Sequence, residues 1–388
     1  MKNILCPIGS FFPAQSGGPD NTLHWLVSEI IRDKDFNIKI VTTLYGINND
    51  IQKEYGIVPN QPKLFADNYS VTYFKLNKNN TFSPTLMKWI LKEVGNFDLV
   101  FITSFFNHHS ILSALLCKLK NLPFIISPHG EFRPNAFQYA NKSKILKLIY
   151  IKLSKAIYKN AIFHVTAQEE QIDTQKFYPK NKIILIPNLM PLKSDISFNR
   201  DRKNILYLGR LNAIKGIENL IMAYSLLPTE IKNAHKLIIA GSARDDYNKS
   251  LEKLCSSLHI TNLVDFVGHI EGKAKEDLYL SSKMFVLPSY TENFAIVVVE
   301  AINYGLYVIT STNTPWKSLR DMRIGSWIEN DHNSIKDEIK KVISYSDDDY
   351  KTITDRARDY IFKDFEITRN IHLYKNLITR PLQDRNIK

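Results

Sequence analysis

Cysteine is scarce in this chain of 388 residues. Its three cysteines, Cys6, Cys117 and Cys255, lie far apart, are odd in number, and form no C-x-x-C pair. A disulfide framework or a structural zinc site needs more cysteines at closer spacing. The sequence therefore predicts a protein of a reducing compartment.

Long apolar runs are also missing. No segment approaches the roughly 18 consecutive apolar residues of a membrane-spanning helix. The opening residues, MKNILCPIGSFFP, lack the apolar segment and cleavage site of a signal peptide. Hydrophobic residues make up 44% of the chain and charged residues 23%, as in globular proteins, and the length suits two domains. We expect a cytoplasmic globular protein.

The charge of the chain is unbalanced, with a formal net value of +12. Such a protein is attracted to nucleic acid, phosphorylated ligands or anionic lipid. No interleaved basic and aromatic platform is present, so we expect no nucleic-acid partner.

Residues 141–160 hold the densest positive charge, with six lysines and no acid. An apolar series at helical spacing runs beside these lysines: Ile145, Ile149, Leu153, Ala156 and Ile157. Two interpretations stay open. The helix lies on an anionic membrane at the inner membrane face, or it is a core-facing helix with a solvated basic rim.

Strands and helices alternate along the chain, which predicts doubly wound α/β domains. We expect a first domain over residues 1–190, a polar linker to about 201, and a second domain over residues 202–366. Residues 43–80 read as a variable polar region.

The stretch Leu287–Gly305, LPSYTENFAIVVVEAINYG, places two glutamates around an apolar run. A strand before it, loop residues 289–293 and a glycine after it predict strand, loop, helix and strand. Glu292 then lies in a loop at the carboxyl ends of parallel strands, where open α/β folds bind ligands. In the alternative, Glu292 only caps the helix and Glu300 is solvated.

Other strand ends carry polar candidates. Gly17 and Gly18 precede a helix predicted from about Leu23 to Arg32, where exposed N–H groups favour an anion; a plain turn is the alternative. His129 follows a strand in a Pro-His-Gly turn, a position for chemistry or for a structural histidine.

Arg210 and Lys215 follow another strand and suit a diphosphate. His108 and His109 lack a partner at metal-ligand spacing, so we expect them to start a helix or line a site and predict no metal ligands.

Four motifs stand in order along the chain: Gly-Arg-Leu-x-x-x-Lys-Gly at 209–216, Phe-Val-Gly-His at 266–269, Pro-Ser-x-x-Glu-Asn-Phe at 288–294, and Glu-x7-Glu across Glu292 and Glu300. Together they resemble those of retaining glycosyltransferases of family 4, which have the GT-B fold. Gly17-Gly18 and Ser-Pro-His-Gly at 127–130 match the first half of that family. The resemblance covers most of the chain and implies two Rossmann-like domains facing across a cleft. It also implies a C-terminal helix, within residues 367–388, that packs back on the first domain.

The resemblance also implies a role for each site residue. Arg210 and Lys215 neutralise the diphosphate of the donor, and Gly17, Gly18 and Gly209 bring backbone close to the donor. Glu292 holds the donor sugar together with the backbone of Asn293 and Phe294. Glu300 binds the ribose, Gly268 to Ile270 pass the base, and His129 lies near the reacting centre.

The implied reaction moves a sugar from a nucleotide diphosphate sugar, UDP- or GDP-linked, to a saccharide or lipid-linked acceptor in surface polysaccharide or lipopolysaccharide biosynthesis. No metal or other cofactor is expected. A sugar-nucleotide epimerase or hydrolase, or a non-catalytic nucleotide-sugar-binding protein, is the alternative. Glu131 and Thr314-Pro315-Trp316 depart from the family pattern. The run Asp347-Asp348-Asp349 imitates a metal motif, but helix capping explains it better.

Overall fold

A computed structural model of the protein describes residues 1–14, 18–77, 82–134, 144–198, 202–243 and 246–386. The chain forms two compact units. Met1–Pro191 and Glu366–Lys388 make up the first, and Leu192–Phe365 makes up the second.

The first unit is built on an eight-stranded sheet in its described residues, in the order β3-β4-β2-β1-β5-β6-β7-β8. Every neighbouring pair is parallel except β3 and β4. Its strands are β1 (Lys2–Pro7), β2 (Phe36–Thr43), β3 (Pro62–Ala66), β4 (Tyr69–Phe74), β5 (Leu99–Thr103), β6 (Phe124–Ser127), β7 (Ile162–Val165) and β8 (Lys182–Leu185).

Helices cover both faces of this sheet. They are α1 (Gly18–Ile30), α2 (Asn49–Glu54), α3 (Pro84–Glu93), α4 (His108–Leu119), α5 (Lys144–Tyr158), α6 (Gln168–Phe177) and the C-terminal α15 (Ile367–Asn386). Successive strand residues point to opposite faces, so Ile4 and Leu5 of β1 enter two separate cores. The unit is therefore doubly wound.

Two parts of this unit differ from what the sequence predicts. The segment 43–80, predicted only as a variable polar region, contains α2, β3 and β4. The short α2 and the exposed edge strand β3 bury little apolar surface, so their apolar periodicity is weak. Helix α1 begins at Gly18 and not near Leu23.

Most of the predicted apolar series of the basic helix does not face the core. Ile145, Ile149 and Leu153 are exposed, whereas α5 packs on the core through Ile151 and Tyr158, with Ile157 of the series partly buried beside them. Both sets have helical spacing, and periodicity alone does not say which set is buried. The helix therefore faces the core and carries exposed lysines, as one of the two interpretations has it, but most of the predicted apolar series is not the part that is buried.

The second unit has a parallel sheet in the order β11-β10-β9-β12-β13-β14. Its strands are β9 (Asn204–Leu208), β10 (Leu237–Ala240), β11 (Val264–Gly268), β12 (Ser282–Leu287), β13 (Tyr307–Ser311) and β14 (Ser326–Ile328). From β9 the chain first moves towards one edge and then, with β12, to the other side of β9. The strand order therefore reverses between β9 and β12, which is the topological switch point of a doubly wound sheet.

The helices of the second unit are α7 (Ile217–Ser225), α8 (Thr229–Ala234), α9 (Tyr247–Ser257), α10 (Gly272–Ser281), α11 (Ile296–Asn303), α12 (Ser318–Asp321), α13 (His332–Ile343) and α14 (Asp347–Asp364). Ser346 caps α14, and its Oγ accepts from the N–H of Asp349 at 3.1 Å. The three aspartates lie in the first turn, where negative charge complements the helix dipole. Across the described ranges, no helix is both long and apolar enough to cross a bilayer.

Candidate functional site

Two loops meet at the switch point of the second unit. Residues 209–216 follow β9 and residues 288–295 follow β12, and these strands are neighbours in the sheet. The carboxyl ends of parallel strands at such a point form the usual ligand crevice of an open α/β sheet. This is where the predicted cations and the predicted loop carboxylate come together.

The backbones of the two loops are fastened to each other. The N–H of Tyr290 donates to the carbonyl of Ile214 at 2.9 Å. Gly216 has a φ of 61°, and a Cβ there would lie 2.2 Å from the carbonyl oxygen of Pro288. Only glycine permits both the left-handed backbone and this approach. Asn330 adds a third tie, because its Nδ2 donates to the same carbonyl at 2.7 Å.

Lys215 and Glu292 form an ion pair at this junction. The distance from Lys215 Nζ to Glu292 Oε1 is 2.5 Å, and the side chains are only 16% and 11% exposed. Ser289 Oγ donates to the same carboxylate oxygen at 2.7 Å. The alternative in which Glu292 only caps α11 is wrong, since that helix begins without a side-chain cap.

Arg210 is exposed near the start of the 209–216 loop. A buried side chain packs closely against the loop backbone at this point. Tyr207 is buried and its hydroxyl donates to the Arg210 carbonyl at 3.0 Å, while a Cβ on Gly209 would lie 3.1 Å from that hydroxyl. Burial, with the Glu292 charge second, raises the pKa of Tyr207 well above its ordinary value. Sequence reasoning missed this tyrosine.

Glu300 lies in the second turn of α11, as predicted, but it is not solvated. Its Oε1 lies 2.7 Å from Lys275 Nζ, and its Oε2 accepts from the Tyr279 hydroxyl at 2.9 Å. Tyr279 in turn stacks on Tyr304 with ring centroids 5.1 Å apart. Lys275 and Tyr279 are four residues apart on α10, so they share a helix face. Sequence reasoning missed Lys275 and Tyr279, and their four-residue spacing is the one sequence feature that could have indicated them.

The end of the 288–295 loop is held by Trp316. The indole N–H of Trp316 donates to the carbonyl of Phe294 at 2.6 Å, and both rings are buried against Phe365. The Phe294 carbonyl is therefore engaged, and Asn293 beside it is half-buried. Ala295 enters α11 with a φ of 62°, a strained value for a non-glycine residue of the kind that clusters at functional sites.

The predicted base-contacting segment follows β11, the neighbour of β10. Gly268 has a φ of 70°, is exposed, and accepts a hydrogen bond from the Gly241 N–H at 2.7 Å. No described atom lies within 4 Å of a Cβ built on Gly268. Ile270 is half-buried. The segment thus offers open backbone at a strand end of the same sheet.

In the first unit, His129 lines a pocket after β6. Thr103, Ser127, His164 and Tyr374 line the same pocket. His129 has a φ of 51°, and its Nδ1 is buried with no hydrogen-bond partner in the described ranges. Burial lowers the pKa of His129 to about 4. The ring is therefore neutral at physiological pH and can form a hydrogen bond with a ligand.

The neighbouring His164 is fully partnered. Its Nε2 lies 3.0 Å from the Ile186 carbonyl and its Nδ1 lies 2.8 Å from Ser127 Oγ. Because a carbonyl only accepts, Nε2 is the protonated nitrogen and the serine donates to Nδ1. Burial, and then the nearby His129, lower the pKa of His164 to about 3.

Two carboxylates hold the turn around His129. Glu131 accepts from Ser104 Oγ at 2.8 Å and from the N–H of Phe105, and burial raises its pKa. Glu170 accepts from the N–H of Gly130 at 2.5 Å and from Thr166. Glu131 therefore anchors the loop after β5, and Glu170 anchors the turn at Gly130. Sequence reasoning did not identify Glu170.

Gly18 begins α1, whereas Gly17 lies outside the described residues. Asp20, in the first turn of α1, accepts from Ser10 Oγ at 2.8 Å and is buried. His108 is exposed and His109 is buried, so the adjacent histidines point apart as expected at the start of α4. Among the residues with described positions, no three His, Cys, Asp or Glu side chains are grouped to hold a metal ion.

Comparison with protein families gives one match. Residues 192–360 match the family model described as glycosyl transferases group 1. This range covers most of the second unit, including Arg210, Lys215, Glu292 and Glu300.

Several curated relatives are named as glycosyltransferases. An uncharacterized glycosyltransferase of Methanocaldococcus jannaschii is 30% identical over 56% of this chain and 58% of its own length. A second from that organism is 23% identical over 98% of both chains. The O-antigen chain mannosyltransferase B of Escherichia coli is 30% identical over 28% of each. The chain thus spans between about a quarter and nearly all of the length of these relatives.

Solved structures share the fold. Sucrose-phosphate synthase from Thermosynechococcus elongatus has a TM-score of 0.76 and 19% identity, covering 99% of this chain and 100% of the other. The Anabaena protein HepE, in complex with UDP-glucose, has a TM-score of 0.73 and 16% identity, covering 98% and 100%. The chain therefore has the fold of GT-B glycosyltransferases, and its residues 192–360 match the glycosyl transferases group 1.

Proposed function

We propose that the protein transfers a sugar from a nucleotide diphosphate sugar to a hydroxyl group of a saccharide or lipid-linked acceptor. One observation carries the proposal. At the switch point of the second sheet, a cationic loop with Arg210 and Lys215 is fastened to a loop that presents Glu292. A diphosphate suits the cations, and sugar hydroxyls suit a carboxylate.

The ion pair leaves neither of the two charges without a partner, because Lys215 and Glu292 neutralise each other at 2.5 Å. In the proposed complex the diphosphate takes the lysine, and the sugar hydroxyls donate to the carboxylate. Each charge exchanges one partner for another, so neither is left buried and unpaired.

Glu300 is proposed to bind the ribose. Lys275 and Tyr279 each contact one of its oxygens and hold the carboxylate in one orientation. A carboxylate oxygen has more than one acceptor position, so these contacts leave capacity for ribose hydroxyls. Gly268 and Ile270 are proposed to contact the base. Roles of Gly17, Gly18 and His129 in donor binding stay predictions.

The proposed chemistry is retaining and needs no metal. The bond from the anomeric carbon to the donor phosphate oxygen breaks, and a bond from that carbon to the acceptor oxygen forms on the same face. The acceptor proton passes to the departing phosphate, whose charge Arg210 and Lys215 stabilise. The family resemblance of the motifs supports this route.

Two names among the relatives support the substrate classes. HepE is in complex with UDP-glucose, which supports a nucleotide-linked donor. The O-antigen mannosyltransferase supports a surface-saccharide acceptor and a polysaccharide or lipopolysaccharide product.

A thermal-shift screen against UDP- and GDP-sugars tests the donor class, since a ligand that binds the folded state raises the unfolding temperature. Lys215→Met should abolish the response. Lys236→Met is a matched control, because Lys236 pairs with Asp265 on the exposed surface of the same unit. A full response by Lys215→Met would place the donor elsewhere.

Transfer is tested with the donor so identified. A glycosyltransferase forms product only when an acceptor is present, and NMR of the product should show the anomeric configuration of the donor. Excess EDTA should leave the rate unchanged. Release or conversion of the sugar without acceptor would favour a hydrolase or epimerase, and tight binding without turnover a non-catalytic protein.

A further inference from the structure

Helix α5 has two apolar faces, and only one is buried. Ile151, Ser154 and Tyr158 pack inward, at the three- and four-residue spacing of one helix face. On the outer side, Ile145 and Leu153 are 70% and 74% exposed. A helix that serves only to cover a sheet needs one apolar face.

The outer apolar residues are numerous for one helix. Exposed single hydrophobic residues are ordinary, but five of the 17 large ones in the described chain lie on these fifteen residues: Ile145, Leu146, Leu148, Ile149 and Leu153. Contiguous exposed apolar surface marks an interaction site.

Positive charge borders this apolar surface. Lys144, Lys152 and Lys155 are exposed on α5, and Lys159 is exposed just after it. They are spaced by multiples of three and four residues, so they form one row along the helix. The sequence from 144 to 160 has no acidic residue to neutralise the row.

Lys147 is different from these four. Its Nζ lies 5.0 Å from the centre of the Phe106 ring, and its charge acts on the buried Glu131. Lys147 therefore belongs to the inner side of α5, beside the loop after β5, and is not part of the exposed lysine row.

We propose that α5 binds an anionic lipid bilayer and lies in the plane of its interface. The apolar row enters the boundary between headgroups and acyl chains, and the lysines contact the lipid phosphates, as in interfacial amphipathic helices. Fifteen residues span about 22 Å, which is shorter than the roughly 30 Å hydrocarbon core. The helix therefore lies on the bilayer and does not cross it.

The positive charge of α5 favours a lipid bilayer over a second copy of the chain as the partner of its exposed face. Two copies meeting through α5 would bring two lysine rows together, and like charges oppose such a contact. An anionic lipid surface neutralises the lysine row of a single chain, and its acyl region accepts the aliphatic side chains. The proposal goes beyond sugar transfer, and its test needs no activity.

Vesicle co-sedimentation of the full-length protein tests the proposal. One set of vesicles contains phosphatidylcholine alone and the other adds phosphatidylglycerol. The wild type should bind only the anionic set, and raising the salt should weaken binding at least about tenfold because the Debye length shortens.

Two variants separate the charge from the apolar row. The triple change Lys144→Gln, Lys152→Gln and Lys155→Gln should weaken binding on the order of 100-fold, at about fivefold per lysine. The change Leu153→Asn, alone or with Ile149→Asn, should weaken it about tenfold or more by removing buried apolar area. The single change serves if the double variant unfolds.

Helix α3 of the same unit supplies a matched control. Lys88, Leu91 and Lys92 are exposed there, and replacing them with Gln, Asn and Gln should leave vesicle binding unchanged. The proposal is overturned if the wild type does not bind anionic vesicles, or if the α5 and α3 variants bind alike. Oligomers that the Leu153→Asn change dissociates would also overturn it, since the face would then join copies of the chain.

Discussion

The ion pair between Lys215 and Glu292 should contribute measurably to the stability of the second unit. Its side chains are 16% and 11% exposed, so the pair lies between two regimes. Exposed pairs contribute about 0–1 kcal/mol, whereas breaking a buried pair costs about 3–5 kcal/mol. We expect Lys215→Met to lower the free energy of unfolding by about 2 kcal/mol.

The partner change should cost less. Glu292→Gln keeps an oxygen that can accept from Lys215, and Ser289 remains within reach at 2.7 Å. In the double variant no charge is left unpaired. A double-mutant cycle should therefore give a coupling energy of about 1–2 kcal/mol.

Urea unfolding followed by tryptophan fluorescence measures the cycle. Trp316 is a local reporter, because it is buried and hydrogen-bonded to Phe294 in the loop that carries Glu292. The exposed pair Lys236 and Asp265 serves as the control and should show a coupling below about 1 kcal/mol. Single changes at the site that add within about 0.5 kcal/mol would refute the pair as a feature in solution.

Two further predictions concern backbone contact and pH. Gly216→Ala should destabilise the second unit by at least about 2 kcal/mol more than Gly268→Ala. Both glycines have a positive φ, but only a Cβ on Gly216 would meet the Pro288 carbonyl oxygen, at 2.2 Å. Equal urea midpoints for the two variants would contradict the contact. Burial lowers the pKa of His109 to about 4, so the unfolded chain takes up a proton below its pKa of about 6.5 before the folded chain does. The free energy of unfolding should therefore fall from pH 7 to pH 5, and His109→Gln should reduce that fall by about 2 kcal/mol. Urea unfolding at the two pH values measures it. A fall that is the same in the variant and the wild type would show that the buried ring is protonated in the folded protein.

The positions of the two switch-point loops could be predicted from the sequence because strand ends are easily recognised. Short apolar strands ending in glycine or polar turns placed Arg210 and Glu292 in loops after parallel strands, as the structure has them. Gly305, predicted to follow helix α11, has the positive φ of that position. These features are local in the sequence, so a single chain reveals them.

Partnerships between distant residues could not be predicted in this way. Lys215 and Glu292 are 77 residues apart, and the sequence motifs assign ligand contacts to both without indicating any contact between them. Trp316 stands out in the sequence only as a departure from a family pattern, and its hydrogen bond to Phe294 depends on the packing of the whole unit. Such contacts follow from strand order, which local periodicity does not encode.

Helix α5 shows a different limit. Its sequence contains two apolar rows of helical spacing, and the more regular one, with Ile149, is exposed. Periodicity reports that a row exists, while the sheet decides which row it covers. The lysine row was nevertheless visible from the sequence alone.

Calorimetric titration tests the central claim most directly, using the nucleotide sugar found in the screen and its nucleoside diphosphate. Glu300→Gln should weaken both ligands by roughly tenfold to a hundredfold, since it removes a charged acceptor for the ribose. Glu292→Gln should weaken the nucleotide sugar alone, because its carboxylate is assigned to the sugar. A Glu292→Gln variant that binds both ligands as tightly as the wild type would contradict the account.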